Sequence, residues 1–333
     1  MLSSVAKLAD KAFVMGFLLP ALLAVFATVK LFGCAQWFSA LCTINEANPF
    51  ENLTYLGLVV WFLAVLLLTL NFTAYRVLEG YLPPVSWLTS VRRFHQERFQ
   101  ALTDERLRLR AEGKKPEGSR IRLELLASYP PDTEHVLPTA FGNAIRAFEF
   151  YPAVYGADSI SVWTRLGAVV PASFQGMIND ARSQIDFLVN VCLLSLVVAI
   201  IAVVRLGAEF SQPNAASLPP DRVYLLTIAG VALVVAAVAY RWAVGRIAEW
   251  GELVKSAFDC YLPALAAKLG YALPETESKR REFWTDMSKL FLYREQLRDG
   301  KWNLLRQGAD GGSGDGGGTG RADPEKDEAG GED

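Results

Sequence analysis

The sequence predicts an all-α membrane protein. It has four transmembrane helices and a mainly helical cytoplasmic module, which can include a small β element. Hydrophobic residues make up 52% of the 333-residue chain and the mean hydropathy is positive, which is high for a soluble protein. Four apolar runs of at least 18 residues carry no charge, and a helix needs about 20 residues to cross the hydrocarbon core. Lysine and arginine are also unevenly spread among the segments between these runs.

Each apolar run lies between charged residues and predicts one transmembrane helix. Because lipid offers the backbone no hydrogen-bond partners, an isolated run of this length forms a helix rather than a strand. The predicted transmembrane helices are residues 13–32, 55–75, 187–206 and 223–241.

The basic residues predict which segments face the cytoplasm, since cytoplasmic loops retain Lys and Arg. Residues 33–54 contain none, whereas residues 76–186 contain fourteen. This contrast predicts that both termini lie in the cytoplasm. The predicted periplasmic loops are 33–54 and 207–222, and the predicted cytoplasmic parts are 1–12, 76–186, 242–307 and a disordered, acidic, Gly-rich tail at 308–333.

Two cysteines share the first periplasmic loop. Cys34 and Cys42 could form a disulfide in an oxidising compartment, or could remain two unpaired thiols at the membrane surface. Leu31 to Cys34 also resembles a lipoprotein cleavage site, which would make the first apolar run a signal peptide and Cys34 a lipidated residue. Lys30 argues against this alternative, because a cleavage region is normally neutral.

A basic amphipathic helix is predicted directly after the second transmembrane helix. Trp87, Val91 and Phe94 recur at helical spacing beyond Pro83 and Pro84. Arg92, Arg93 and Arg98 are the candidate residues for contact with anionic lipid head groups. The alternative is a solvated helix that simply follows the positive-inside rule. Nucleic-acid binding is not expected, because aromatic residues for base stacking are not interleaved with the charges.

The rest of the module is predicted to be helices built on a long hairpin. Thr139 is a candidate N-cap for a short helix. Pro171 suits the start of a helix that runs into the third apolar run, and an apolar seam continues beyond the fourth run as far as Pro263. A further amphipathic helix is predicted at 275–298. Alternating apolar and charged residues at 121–125 suggest a short strand, and a second short strand or a tight segment is suggested at 159–163.

The sequence lacks the patterns that carry common enzyme chemistry, so no catalytic residue, cofactor or metal site is predicted. It has two histidines, and no glycine loop of the phosphate-binding type precedes a Lys and a Ser or Thr. Glu134 and His135 lie in a proline-containing loop without a second histidine at ligand spacing, so loop capping is the better interpretation.

Polar residues within the apolar runs are few and uncharged. Ionisable groups inside spans usually mark ion or proton paths, so their absence argues against an ion-coupled carrier. Asn190 and Ser195 in the third run are candidates either for lining a pore between subunits or for packing between helices. Small residues in the fourth run favour packing.

The segment LPTAFGNAIRAFE at 137–149, followed by YGAD at 155–158, resembles a stretch of uncharacterised bacterial multi-pass membrane proteins. GEL at 251–253 and AFD at 257–259 resemble another stretch of the same proteins. The resemblance implies an inner-membrane setting and supplies no chemistry.

The expected function is that of a non-enzymatic, homo-oligomeric membrane protein whose cytoplasmic module binds a protein partner or senses a signal. The alternative is an oligomeric ion channel or membrane-permeabilising effector, with Asn190 near the pore. A membrane-tethered enzyme is the third hypothesis. The expected partners are the lipid bilayer, further copies of the chain and a cytoplasmic protein.

Overall fold

The computed structural model describes residues 10–32, 49–210, 220–297 and 301–304. Cys34, Cys42 and the acidic tail lie outside these residues. Within the described part, nine longer helices carry the fold, with short 3₁₀ helices at Val85–Trp87 and Tyr151–Tyr155. The described residues form no strand, and Tyr271 and Leu304 make one isolated bridge. Helix α1 comprises Lys11–Phe13, a π-helical turn Val14–Leu18 and Leu19–Phe32. The others are α2 (Pro49–Glu79), α3 (Thr89–Ala111), α4 (Lys115–Ser128), α5 (Ala140–Glu149), α6 (Ser159–Leu166), α7 (Ala172–Phe210), α8 (Pro220–Lys268) and α9 (Glu277–Tyr293).

Helices α1, α2, α7 and α8 are each long and apolar enough to cross a membrane, as predicted. Their relative directions follow from contacts at the two ends. The Lys11 ammonium lies 2.7 Å from Asp180 Oδ2, so α1 and α7 run in the same direction. Tyr224 Oη donates to the Leu31 carbonyl at 3.0 Å, which places the start of α8 beside the end of α1. Asn71 and Tyr75, near the end of α2, donate to Asp186, so α2 runs opposite to α7. The four helices therefore alternate in direction.

Helices α7 and α8 pack along each other and extend far beyond their apolar runs. Helix α7 begins directly after Pro171, as predicted. Helix α8 was expected to end before Pro263, but it continues through that proline to Lys268. A proline inside a helix removes one backbone hydrogen bond. The buried side chains of Leu262 and Leu265, on either side of Pro263, hold the helix in place despite this loss.

The predicted strands are wrong, because both segments are helical. Residues 121–125 lie within α4 and residues 159–163 lie within α6. In α4 the spacing by four of Ile121, Leu125 and Tyr129 forms the buried seam that packs with Phe99 of α3. The alternation covers only five residues. A helix buries the apolar side chains of the longer seam over two turns, so the helix is favoured over the strand.

We call the part of the protein outside the four-helix bundle the module. Its main apolar core includes the beginning of α7 and the end of α8, which we call their lower ends, and α3 and α4 pack in a separate cluster. Thr139 caps α5 as predicted, since its Oγ1 accepts from Gly142 N at 2.9 Å. Helix α9 contributes Phe283, Trp284 and Met287, which are buried in this core. The largest fully buried side chains are Phe141, Phe258, Phe283, Leu166, Ile185, Ile247, Leu265 and Met287.

Candidate functional site

A buried polar cluster lies where α1, α2 and α7 meet, and Asp186 of α7 is at its centre. Tyr75 Oη donates to Asp186 Oδ1 at 2.8 Å, and Asn71 Nδ2 donates to the same oxygen at 3.2 Å. Asp186 is 6% exposed. Since α2 supplies both donors and α7 supplies the acceptor, the carboxylate joins two long apolar helices. We call Gly16, Asn71, Tyr75, Asp186 and Asn190 the Asp186 cluster.

Helix α1 joins the cluster through the backbone of Gly16. An α-helix would satisfy the Gly16 carbonyl with the amide of residue 20, but Pro20 has no amide hydrogen. Asn190 Nδ2 supplies the missing donor at 2.8 Å from the Gly16 oxygen. A Cβ at Gly16 would lie 3.2 Å from Asp186 Cβ, so glycine permits this close approach of α1 and α7. The π-helical turn at Val14–Leu18 is a feature that often occurs at functional sites.

Two amide oxygens in the cluster are buried without a hydrogen-bond partner. They are Asn71 Oδ1 and Asn190 Oδ1. The orientation of each amide follows from its neighbour, because the Gly16 carbonyl and the Asp186 carboxylate accept hydrogen bonds and so require the NH2 end. The cluster therefore contains more acceptors than its own donors satisfy.

This site was not predicted from the sequence, in which Asp186 borders the third apolar run. The signal was nevertheless present as two pairs at helical spacing. Asn71 and Tyr75 are four residues apart on α2, and Asp186 and Asn190 are four apart on α7, so each pair shares one helix face. What could not be read was that the two faces meet.

A second group of polar side chains surrounds a cavity of about 730 Å³ between α8 and α9. Asp259 of α8 accepts from Tyr151 Oη at 2.9 Å and from Tyr155 Oη at 2.7 Å. Burial and the Asp259 carboxylate both raise the pKa of Tyr155. Arg280 and Arg281 of α9 also line this cavity, which we call the α8–α9 cavity. Its mixture of apolar and charged side chains suits a peptide segment better than a small apolar ligand.

The candidate lipid-facing arginines mostly contact the protein. Arg92 Nε donates to the Val136 carbonyl at 3.0 Å, and Arg98 Nη2 lies 3.4 Å from Glu124 Oε1. Arg93 is exposed. The residues of this segment that face outward together are instead apolar. They are Trp87, Leu88, Val91 and Phe94, and Trp87 is 72% exposed.

The two pore candidates occupy different surroundings. Asn190 is 1% exposed and belongs to the Asp186 cluster. Ser195, half-buried, lines an apolar groove of about 440 Å³ between α1, α7 and α8, opposite Pro20 and Thr227. Within the described residues, no group of three His, Cys, Asp or Glu side chains is arranged to hold a metal ion.

Comparison with known proteins gave no match. No protein-family model matches the chain, and no curated protein or solved structure matches it significantly.

Proposed function

We propose that this chain is a non-enzymatic, four-pass protein of the bacterial inner membrane, with both termini in the cytoplasm. It acts as a homo-oligomer whose cytoplasmic module binds a protein partner or senses a signal. The bundle of α1, α2, α7 and α8 crosses the bilayer, and the module is formed by α3 to α6, α9 and the lower ends of α7 and α8.

The observation that carries this proposal is the continuity of α7 and α8. Ile178 and Ile185 of α7 pack in the module core, and Ala199 and Ala202 of the same helix pack against α8 within the apolar bundle. The Asp186 cluster lies between these two regions. A rigid helix transmits displacement along its length, so binding at the module would move α7 within the bundle, and the reverse.

The outward apolar face at 87–94 supports membrane insertion. Trp87, Leu88, Val91 and Phe94 follow directly after α2 and point away from the protein. Tryptophan and other apolar side chains at the end of a span commonly lie at the lipid interface. In reconstituted bilayers, brominated lipids should quench wild-type fluorescence more than that of Trp87→Phe, whereas Trp302→Phe, in the module, should leave bilayer quenching unchanged. Equal quenching of all three proteins would place this face outside the lipid.

The channel hypothesis has less support. A pore between subunits needs Asn190 on the outer surface of the bundle, whereas its side chain is buried and bonded to Gly16 of the same chain. Proteoliposomes should therefore remain tight to ions. A conductance that disappears in Asn190→Leu would favour the channel instead.

The α8–α9 cavity is the proposed binding surface for the protein partner. Val154 lines the cavity and is 62% exposed. Leu123 on α4 is similarly exposed but does not line the cavity, so it is the matched control. A photocrosslinking residue at position 154 should capture one defined partner in cells, and the same residue at 123 should not.

Protease added to inside-out vesicles should cleave the module, and protease added to right-side-out vesicles should not. Cleavage from the periplasmic side would overturn the proposed orientation.

A further inference from the structure

We propose that the Asp186 cluster binds a hard monovalent cation of about the size of sodium and thereby joins α1, α2 and α7. This inference rests on the proposed four-pass arrangement. The ligands would be the Asp186 carboxylate and the amide oxygens of Asn71 and Asn190. All three side chains are more than nine-tenths buried.

The buried charge of Asp186 is the first reason to expect a cation in the cluster. A carboxylate removed from water is costly unless a positive charge accompanies it. Among the described residues, no Lys or Arg nitrogen lies within 4.0 Å of Asp186. Arg182, one turn earlier on α7, is exposed, and its positive charge acts on Asp186 without a direct contact. Lys11, at the nearby end of α1, is paired with Asp180. Among the described residues, no basic side chain therefore forms an ion pair with the buried carboxylate.

The second argument is the number of unsatisfied acceptors. A proton on Asp186 could donate a single hydrogen bond, but Asn71 Oδ1 and Asn190 Oδ1 both lack a partner. A metal cation can bind several oxygens at once and also neutralises the charge. A single carboxylate suits a monovalent ion, because divalent sites in proteins usually combine more anionic ligands.

The third argument is the backbone around Gly16. The π-helical turn and Pro20 interrupt the regular hydrogen bonding of α1 beside Asp186 and Asn190. In several transporter folds, carbonyl oxygens at interruptions of membrane helices coordinate sodium. The Gly16 carbonyl has a second lone pair beyond the one that Asn190 uses, and it lies at the edge of the same cluster.

The test is sodium binding by the full chain, purified and placed in lipid nanodiscs. Radioactive sodium should bind saturably, with about one ion per chain. Replacing choline chloride with sodium chloride at constant ionic strength should raise the Tm by about 5 °C, since a bound ligand stabilises the folded state. Asp186→Asn should lose both effects. Asp180→Asn is the matched control, because this carboxylate lies on the same helix but is exposed, and it should keep both effects.

The wild-type measurements decide the question even if Asp186→Asn does not fold. Absence of saturable sodium binding would overturn the proposal, as would equal binding by folded Asp186→Asn. A Tm that does not change with sodium but rises on acidification would mean that a proton occupies Asp186 instead. Protease protection of vesicles is independent of these readouts. A cluster without sodium in a correctly oriented protein would therefore refute this inference and leave the proposed function intact.

Discussion

The two halves of the α7–α8 hairpin are held together in different ways. In the apolar half the helices meet through small side chains, such as Ala199 and Ala202 against Ala229 and Ala232, and large side chains such as Val203 point outward. In the module half, Ile185 and Phe258 belong to a core that also contains large aromatic residues of α5 and α9, such as Phe141 and Phe283. One pair of continuous helices thus carries two kinds of core.

The difference reflects the solvent that we propose for each half. In water, burial of large apolar side chains is the main stabilising contribution. In lipid the surroundings are as apolar as the side chains, so helix association depends on close packing and buried polar contacts. The Ala-rich contacts and the Asp186 cluster are contacts of this second kind. Substitutions in the two halves should therefore have unequal effects.

The largest effect is expected at Phe258, which is 1% exposed in the module core. Phe258→Ala should lower the free energy of unfolding by about 3–5 kcal/mol, because it removes apolar contacts and leaves a cavity. Val203→Ala, which removes an outward side chain from the apolar half, should change it by less than about 0.5 kcal/mol. Thermal and denaturant unfolding in nanodiscs would measure both. Equal losses would contradict the assignment of the two halves to different solvents.

A smaller loss is expected where α5 crosses the end of α2. A Cβ at Gly142 would collide with the Glu79 carbonyl oxygen and lie 2.9 Å from Leu137 Cδ1. Gly142→Ala should therefore cost about 1–3 kcal/mol through displacement of the backbone. Gly176 of α7 has open space at its Cβ position. Gly176→Ala should stabilise the protein by about 0.5–1 kcal/mol, as expected for an exposed helix position, and a loss there would undermine the comparison.

The smallest expected effect is a pH dependence of the free energy of unfolding that arises in the module. Burial raises the pKa of Glu149 above its ordinary value of 4.5, although Arg146, at 3.4 Å, acts in the opposite direction. The folded state therefore holds this proton more tightly than the unfolded state. The resulting stability is complete below pH 4.5 and is lost as the pH rises through the raised pKa of Glu149. Unfolding midpoints measured across this range should fall with pH.

Glu149→Gln should flatten this part of the pH profile. Glu117→Gln, on the exposed surface of α4, is the matched control and should leave the profile as in the wild type. An unchanged slope in Glu149→Gln would show that another group is responsible.

Local patterns in the sequence predicted much of the fold. The four apolar helices follow from charge-free runs, the start of α7 from Pro171, and the cap of α5 from Thr139. Each is a property of neighbouring residues. The strand predicted at 121–125 was wrong because its pattern was weighed over five residues, whereas burial acted on a seam that reaches Tyr129. Sidedness, self-association and the partner remain predictions from composition.

The sequence by itself determined that four segments are helical and apolar, because backbone hydrogen bonding and hydropathy are local quantities. The tertiary structure decided which polar residues meet. Asn71 and Asp186 are 115 positions apart, and Gly16 and Asn190 are 174 apart. No periodicity links such positions, because their proximity results from the packing of three helices. That packing turns a charge at the boundary of an apolar run into a buried carboxylate that accepts hydrogen bonds from Asn71 and Tyr75.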